Sequence, residues 1–161
     1  DFEDWNVCEI VKEAVDELKQ AMKDKKIQYT LENCSNSLNA KCDHFKIGQV
    51  IRNLMTNAIK FTPEGKEIQI QVLEKIIDNG SDNGRNIEIS IKDEGVGIPE
   101  DEIQKIFDKF TQSSKTKTGA GGTGLGLAIS YEIIKAHKGN IWAENNPDQG
   151  STFKFIIPAD L

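Results

Sequence analysis

Four short motifs, carried in one fixed order, constrain what this chain can fold into more than any other feature of its sequence. Any one of them is weak alone, because short glycine patterns often arise by chance. Together they supply two carboxamides, an acid at a strand end and two turns whose backbone is open to close approach. The motifs are Asn53-x-x-x-Asn57-x-x-Lys60, Asp93-Glu94-Gly95-Val96-Gly97, Gly122-Thr123-Gly124-Leu125-Gly126-Leu127 and Gly150-Ser151-Thr152.

Composition indicates a single globular domain that neither binds nucleic acid nor inserts directly into a membrane, although the parent protein could be membrane-anchored. The 161 residues suit one domain, since single domains run to roughly 100–200 residues. The formal charge of -6 comes without a dense basic cluster, which argues against nucleic-acid binding. No apolar stretch approaches the roughly 20 residues that cross a bilayer, so direct membrane insertion is not expected. The first residue is Asp1 rather than methionine, which suits a piece of a longer protein.

The three cysteines predict neither a disulfide nor a metal site. Cys8, Cys34 and Cys42 are odd in number and form no Cys-x-x-Cys pair. We therefore expect no disulfide framework and no zinc. A reducing, cytoplasmic setting is the simplest interpretation.

Apolar periodicity predicts both helices and strands. The predicted helices are one beginning after the N-cap Asn6, one from about Asp43 to Phe61, a short one beginning at Pro99, and one from near Thr123 to a C-cap at Gly139. The predicted strands are 27–31, Glu67–Ile76, Asn86–Asp93, Asn140–Glu144 and Ser151–Ile157. The pattern predicts an α+β fold, a two-layer sandwich whose mostly antiparallel sheet is covered on one face by helices.

The second predicted helix carries a polar edge. Asn53, Asn57 and Phe61 lie four residues apart and therefore stack beside the apolar stripe, with Lys60 nearby. Carboxamide oxygens are hard ligands suited to Mg²⁺, which also takes phosphate oxygens. The alternative is a solvated helix edge, which is weakened because Asn is a poor helix former.

Asp93 ends a strand with an inward row of isoleucines, and alternation points its carboxylate to the same face. A buried acid is costly unless it is paired, and an adenine amino group is a suitable partner. Gly95 and Gly97 then let the backbone approach a base and a sugar closely. The alternative is an ordinary carboxylate in a turn after a strand.

The motif from Gly122 to Leu127 opens a helix, where free N–H groups and the positive end of the helix dipole favour phosphate. The alternative is a flexible loop that enters a helix. The preceding polar stretch from Thr111 has almost no apolar residue to bury, so mobility is expected. Lys115 and Lys117 are candidates for a γ-phosphate contact, and plain solvation is an equal alternative for each.

In order and residue type, these motifs resemble the ATP-binding catalytic domain of sensor histidine kinases, within the gyrase, Hsp90, histidine kinase and MutL superfamily. The resemblance covers roughly residues 5–158. It implies the Bergerat ATP-binding fold with three helices on a mixed sheet. It also implies ATP and Mg²⁺ as cofactors and a mobile lid at about residues 110–122 that closes over the triphosphate.

The resemblance also implies roles for individual residues. Asn57 would ligate Mg²⁺, Lys60 would contact phosphate, Asp93 would read adenine, and Asn53 with Asn57 and Lys60 would form the catalytic set. For Phe107 and Thr152 the alternatives are packing and a plain hairpin exit. The remaining nucleotide contacts that the resemblance implies are Phe61, Gly95, Gly97, Ile98, Phe107, Lys115, Gly122, Thr123, Gly124, Leu125, Gly126, Leu127 and Thr152.

Asn53 distinguishes two branches of that superfamily. In the ATP-hydrolysing branches the matching position is usually Glu, which acts as a general base. Asparagine cannot accept a proton at neutral pH, so water activation is expected to be poor. This residue favours phosphotransfer over rapid hydrolysis.

The expected function is autophosphorylation of a two-component kinase, with this chain as its ATP-dependent catalytic domain. Neither His44 nor His137 lies in a phosphoacceptor motif. The histidine phosphoacceptor and dimerisation domain is therefore expected upstream of Asp1, with a response regulator receiver domain as an indirect partner. Two alternatives stay open: a fragment of a superfamily ATPase, and a non-catalytic module that senses adenine nucleotides.

Overall fold

The computed structural model describes residues 1–34, 38–77, 84–107 and 125–160. Within these ranges three helices and seven strands are defined. In chain order they are β1 (Glu3–Asn6), α1 (Val7–Asp24), β2 (Gln28–Glu32), β3 (Asn39–Cys42), α2 (His44–Phe61), β4 (Glu67–Ile76), β5 (Arg85–Lys92), α3 (Leu125–Ala136), β6 (Asn140–Asn145) and β7 (Ser151–Pro158).

Five strands form one mixed sheet in the order β2-β4-β5-β7-β6. Strands β2 and β4 are parallel, and the other three pairs are antiparallel. The short strands β1 and β3 form a separate antiparallel pair. The predicted α+β class with a mostly antiparallel sheet is confirmed.

The three helices cover one face of this sheet, with α2 in contact with both α1 and α3. Local sequence sets where two of them begin. The Asn6 side chain accepts a hydrogen bond from the Cys8 N–H (3.0 Å), and Asp43 accepts one from the Lys46 N–H (3.1 Å), as N-caps do. Inward side chains from sheet and helices meet in one core, and its largest fully buried members include Phe155, Ile10, Met22, Ile47, Leu54, Ile70 and Ile89.

Two local predictions are wrong. Strands β1 and β3 pair with each other, and no strand was predicted for either segment. The short helix expected after Pro99 is a series of turns over 100–107. The Pro99 carbonyl accepts from the N–H groups of Glu102 and Ile103, but a continuous helical ladder does not follow in the described part.

The end of α3 is built differently from the prediction. The residue with positive φ is Lys138 (φ 60°), so the left-handed position is one residue before Gly139. Glycine is needed at 139 because a Cβ there would collide with the Ile156 carbonyl oxygen. The Gly139 N–H donates to the Ile134 carbonyl (2.9 Å) and closes the helix.

The cysteine prediction is also wrong. Cys8 and Cys34 form a disulfide across a separation of 26 residues, with their Cα atoms 5.5 Å apart. Cys42 is free and buried. An odd count of cysteines cannot show that two of them meet at the start of α1 and the end of β2. Among the residues described, no helix is long and apolar enough to span a membrane.

Candidate active site

The end of β5 and the end of α2 meet at one place, which forms the floor of the candidate site. Asp93 follows β5 directly and is only 3% exposed. A Cβ on Gly95 would lie 2.6 Å from the Phe61 carbonyl oxygen and 3.1 Å from Asp93 Oδ1. Glycine therefore lets the last turn of α2 pack against the turn that carries the acid.

The Asp93 carboxylate is held by three protein donors. Its Oδ1 accepts from the N–H groups of Gly95 (2.9 Å) and Ser151 (3.1 Å), and its Oδ2 accepts from the Ser151 hydroxyl (2.9 Å). Burial raises the pKa of the Asp93 carboxyl above its usual range, and these three donors partly offset that rise. The acid is thus oriented by protein groups before any ligand arrives.

Ser151 is the important residue that sequence reasoning missed. Thr152 was assigned to the adenine environment, but its hydroxyl donates to Asn146 Oδ1 and reaches the Asp93 region only through that side chain. Strand alternation explains the difference, because adjacent residues of β7 point to opposite faces of the sheet. Since Asp93 N–H bonds to the Ser151 carbonyl (2.8 Å), register alone would have placed Ser151 beside the acid.

The polar residues that the sequence placed on the second helix lie along one edge of α2. Asn57, Lys60 and Phe61 are all half-buried, and the Lys60 ammonium lies 5.7 Å from the centre of the Phe61 ring. Asn57 makes no side-chain hydrogen bond in the described ranges, so its carboxamide is available to a ligand. Lys25, the C-cap residue of α1, holds the end of α2 by donating to the carbonyls of Ile59 and Lys60, both at 2.7 Å.

Asn53 contacts the start of α3. Its amide nitrogen donates to the Gly126 carbonyl (3.2 Å) and to the buried Ser130 hydroxyl (3.3 Å). A Cβ on Gly126 would lie 3.7 Å from the Asn53 side chain, an ordinary van der Waals distance. Asn53 thereby joins the two helices that border the site.

The remaining predicted contacts fall into four groups. Ile98 is buried behind the turn after Asp93, and Gly97 adopts positive φ (80°) there. Leu127 and Phe107 pack against the core, and Phe107 lies edge-on to Phe153 at 6.2 Å, which favours its packing role. Leu125 opens α3. Lys115, Lys117, Gly122, Thr123 and Gly124, with the predicted lid at about 110–122, lie outside the described residues.

The donor set is suited to a nucleotide more than to a tightly bound metal. Within the described ranges, no group of three His, Cys, Asp or Glu side chains is placed to hold a metal ion. Carboxamide and ammonium groups on one helix edge, with a buried acid at its end, match a ligand that brings its own phosphate oxygens. Asn53 and Phe61 are eight residues apart, or about 12 Å along the helix.

Comparison with known proteins agrees with this geometry. The family model for histidine kinase-, DNA gyrase B- and HSP90-like ATPases matches residues 42–161. The sensor histidine kinase WalK of Bacillus subtilis is 36% identical over 137 residues, which cover 84% of this chain and 21% of WalK. The sensor protein KdpD of Clostridium acetobutylicum is 40% identical over 156 residues, covering 96% of this chain and 16% of KdpD.

Solved structures give the same result. The catalytic domain of histidine kinase ThkA superposes with a TM-score of 0.81 and 32% identity, covering 99% of this chain and 97% of that domain. Fold and site thus define an ATP-binding domain of the histidine kinase, gyrase and HSP90 class. The chain belongs to that family, and within it to the catalytic domains of sensor histidine kinases. It spans about a fifth of the length of WalK and less of KdpD.

Proposed function

We propose that this domain binds ATP with Mg²⁺ and supplies the γ-phosphoryl group that phosphorylates a histidine on a separate dimerisation domain of the same kinase. The observation that carries the proposal is the Asp93 carboxylate, buried at the end of β5 and held by three donors. A carboxylate has about four lone-pair positions. Three are used by Gly95 and Ser151, which leaves one for an incoming donor.

That remaining acceptor selects adenine over guanine. Adenine presents an amino group at its C6 position, whereas guanine presents a carbonyl oxygen there. The amino group donates to Asp93, while the guanine oxygen would face a carboxylate with no proton between them. Gly95 and Gly97 keep the turn beside the acid compact, since a Cβ on Gly95 would lie 2.6 Å from the Phe61 carbonyl oxygen and a Cβ on Gly97 would lie 3.1 Å from Asn145 Oδ1.

Asn57 and Lys60 are assigned to the phosphate end of the nucleotide. Asn57 offers a carboxamide oxygen to Mg²⁺, which keeps several waters and also binds phosphate oxygens. Lys60 offers a positive charge next to it on the same helix edge. In this proposal Lys115 acts on the triphosphate from the lid, and the glycines 122, 124 and 126 act on it from the motif that opens α3.

Transfer is favoured over hydrolysis because no general base lies at position 53. Asn53 has no proton-accepting nitrogen at neutral pH, and its amide is already donating to Gly126 and Ser130. The domain then contributes positioning and charge neutralisation, with little covalent chemistry of its own. This argues against a superfamily ATPase fragment.

The partner assignment extends a known complex. ThkA, 30% identical in the matched region, has been solved in complex with the response regulator protein TrrA. We propose a receiver domain of this type as the indirect phosphoryl acceptor here. A cytoplasmic location is proposed because ATP is supplied there, although the Cys8–Cys34 disulfide argues the other way, since reducing compartments seldom keep disulfides.

Calorimetric titration with ADP and with GDP, each with Mg²⁺, tests the site. Binding of ADP without GDP is the expected result, and equal binding of both would overturn the adenine assignment. Incubation with ATP and the histidine-bearing domain of the parent kinase then tests transfer. Phosphohistidine should form; ADP binding without any phosphohistidine would leave the nucleotide-sensing alternative.

A further inference from the structure

The turn that carries Asp93, Gly95 and Gly97 is held at both ends by two adjacent asparagines from elsewhere in the chain. Asn145, the last residue of β6, accepts from the Ile98 N–H through Oδ1 (2.8 Å) and donates to the Ile98 carbonyl through Nδ2 (2.6 Å). One carboxamide thus replaces both hydrogen bonds that a neighbouring strand would make to Ile98.

Asn146 holds the other end of the turn. Its Nδ2 donates to the Asp93 carbonyl (3.0 Å) and to the Gln149 carbonyl (3.0 Å). Its Oδ1 accepts from the Thr152 hydroxyl, and its own N–H donates to the Gly150 carbonyl (2.9 Å). The Asn146 side chain is therefore held in position by groups other than Asp93.

The turn needs such support because its own backbone is outside the sheet. Residues 93–99 belong to no strand or helix, and two glycines add backbone freedom that folding has to restrict. Gly97 adopts positive φ (80°), and a Cβ on it would lie 3.1 Å from Asn145 Oδ1. Asn145 can therefore approach the turn this closely because residue 97 has no side chain.

We propose that Asn145 and Asn146 act as an asparagine clamp that pre-organises the adenine-reading turn, and are positioning residues for nucleotide binding. The inference rests on the proposed function, because it assigns adenine to Asp93. Neither asparagine needs to touch the nucleotide. Each fixes a backbone group at one end of the turn, so less conformational entropy is lost when ligand binds.

A purely structural role for the clamp predicts a different result. Hydrogen bonds that only stabilise the hairpin between β6 and β7 would change the unfolding free energy and leave the affinity of the folded domain unaltered. The test therefore compares affinity, local amide exchange and stability in the same variants.

The principal variant is Asn145→Ala, and its matched control is Asn140→Ala. Both asparagines lie on β6, but Asn140 contacts the exposed Lys135 (3.3 Å), away from the turn. We expect Asn145→Ala to weaken ADP binding about tenfold, the effect of losing two ordinary hydrogen bonds. Asn140→Ala is expected to bind ADP like the wild type.

Hydrogen exchange of the ligand-free domain supplies the readout on the turn itself. The Ile98 amide should exchange faster in Asn145→Ala, and its protection should be unchanged in Asn140→Ala. Unchanged exchange at Ile98, or unchanged ADP affinity in a variant whose Ile98 amide exchanges faster, would overturn the clamp.

The variant Asn145→Asp tests separately the two hydrogen bonds that Asn145 makes to Ile98. At pH 7 an aspartate still accepts from the Ile98 N–H but places a negative charge against the Ile98 carbonyl. At pH 5 a growing protonated fraction restores a donor. The affinity relative to the wild type should therefore recover on acidification in Asn145→Asp and stay constant in Asn145→Ala, and equal behaviour of the two variants would contradict the clamp.

Failure of the clamp is distinguishable from failure of the proposed function. Whether wild-type protein binds ADP decides the function, independently of any variant. If the wild type binds ADP and Asn145→Ala binds it equally well, the function stands and the clamp is wrong. If the wild type binds no ADP, both fall.

Discussion

The two ends of helix α2 differ in how completely their polar groups are paired. At the N-terminal end, the Asp43 side chain caps the helix, and the Asp43 N–H donates to Nε2 of the buried His137 (3.0 Å). The other ring nitrogen of His137 lies 2.8 Å from the Ile133 carbonyl. His44 pairs with Glu13 (2.8 Å) and stacks on Trp5.

At the C-terminal end, three polar groups lack a full set of partners. Asn57 has no side-chain hydrogen bond within the described ranges. The Thr62 hydroxyl is buried and is the one side-chain polar atom of the described residues that is both buried and unpaired. Asp93, beside the helix end, keeps one acceptor position after binding its three donors.

This difference separates the part of the domain that maintains the fold from the part that we propose binds the ligand. Buried polar groups cost free energy unless they are hydrogen-bonded, so a sequence under selection for stability alone would pair both ends. The polar groups at the N-terminal end are paired, so mutations there should change the free energy of unfolding. At the C-terminal end, Asn57 and Asp93, the groups that we propose bind the ligand, should respond to mutation through affinity.

Asp93→Asn is expected to give the largest effect at the ligand end. The amide nitrogen can take the Oδ2 position and donate to the Ser151 hydroxyl, so the turn is retained. The amide nitrogen would then place its hydrogens against those of the adenine amino group, so ADP affinity should fall about 100-fold. Because burial raises the Asp93 pKa, removing the charge should leave the unfolding free energy at pH 7 unchanged or higher.

The matched control for Asp93 is Glu94→Gln. Glu94 is the next residue, but its carboxylate accepts from the Glu67 N–H (2.7 Å) outside the turn, and glutamine preserves that acceptor. Calorimetry with ADP should show wild-type affinity in the control. An equal loss in both variants would mean that net charge, and not the position of Asp93, sets affinity.

Asn57→Ala should lower the affinity for ATP in the presence of Mg²⁺ by at least about tenfold, with little change when EDTA is present. Stability should not decrease, since this side chain has no hydrogen bond to lose in the described ranges and alanine is the better helix former. Thr56→Ala, at an exposed neighbouring position, is the control. A Mg²⁺ dependence like that of the wild type would place the metal ligand elsewhere.

Thr62→Val tests the unpaired hydroxyl and should raise the unfolding free energy by about 1 kcal/mol, because a buried polar atom without a partner is removed. Thr152→Val is the matched comparison. Thr152 is also buried, but its hydroxyl donates to Asn146, so valine should destabilise by about 1 kcal/mol. Urea denaturation measures both, and destabilisation by Thr62→Val would show that its hydroxyl has a partner.

Helices α1 and α2 were predictable because their signals are local. Each has a long apolar period and an N-cap residue immediately before it. Strands β1 and β3 were missed because each has four residues, too few for alternation to register, and their pairing joins Glu3 to Cys42. The Cys8–Cys34 disulfide depends on the same long-range packing, which spacing along the chain does not encode.

The candidate site shows the same division. Asp93 was identified because a strand pattern and a glycine turn surround it in the sequence. Ser151, Asn145 and Asn146 were not assigned, although together they hold the Asp93 turn. Their roles follow from the pairing of β7 with both β5 and β6 and from loop geometry, so no local pattern distinguishes them from ordinary turn residues.

The smallest predicted effect belongs to the N-terminal end of α2 and concerns pH. Burial is the main cause that lowers the pKa of His137, and the positive charges of Lys46 and the N-terminal amine lower this pKa further. The hydrogen bond to the Ile133 carbonyl and the negative charge of Asp43 raise the pKa and partly offset the decrease. In the folded state Nε2 accepts from the Asp43 N–H, so the neutral ring is preferred. As pH falls through the ordinary histidine value of about 6.5, the unfolded chain binds a proton that the folded chain does not, and stability should decrease.

Urea denaturation at pH 7.5 and 5.5 should show a smaller decrease in His137→Gln than in the wild type, with ADP affinity at pH 7.5 unchanged. An identical decrease in both would mean that protonation of His137 does not contribute, and a loss of ADP affinity would break the separation between the two ends of α2.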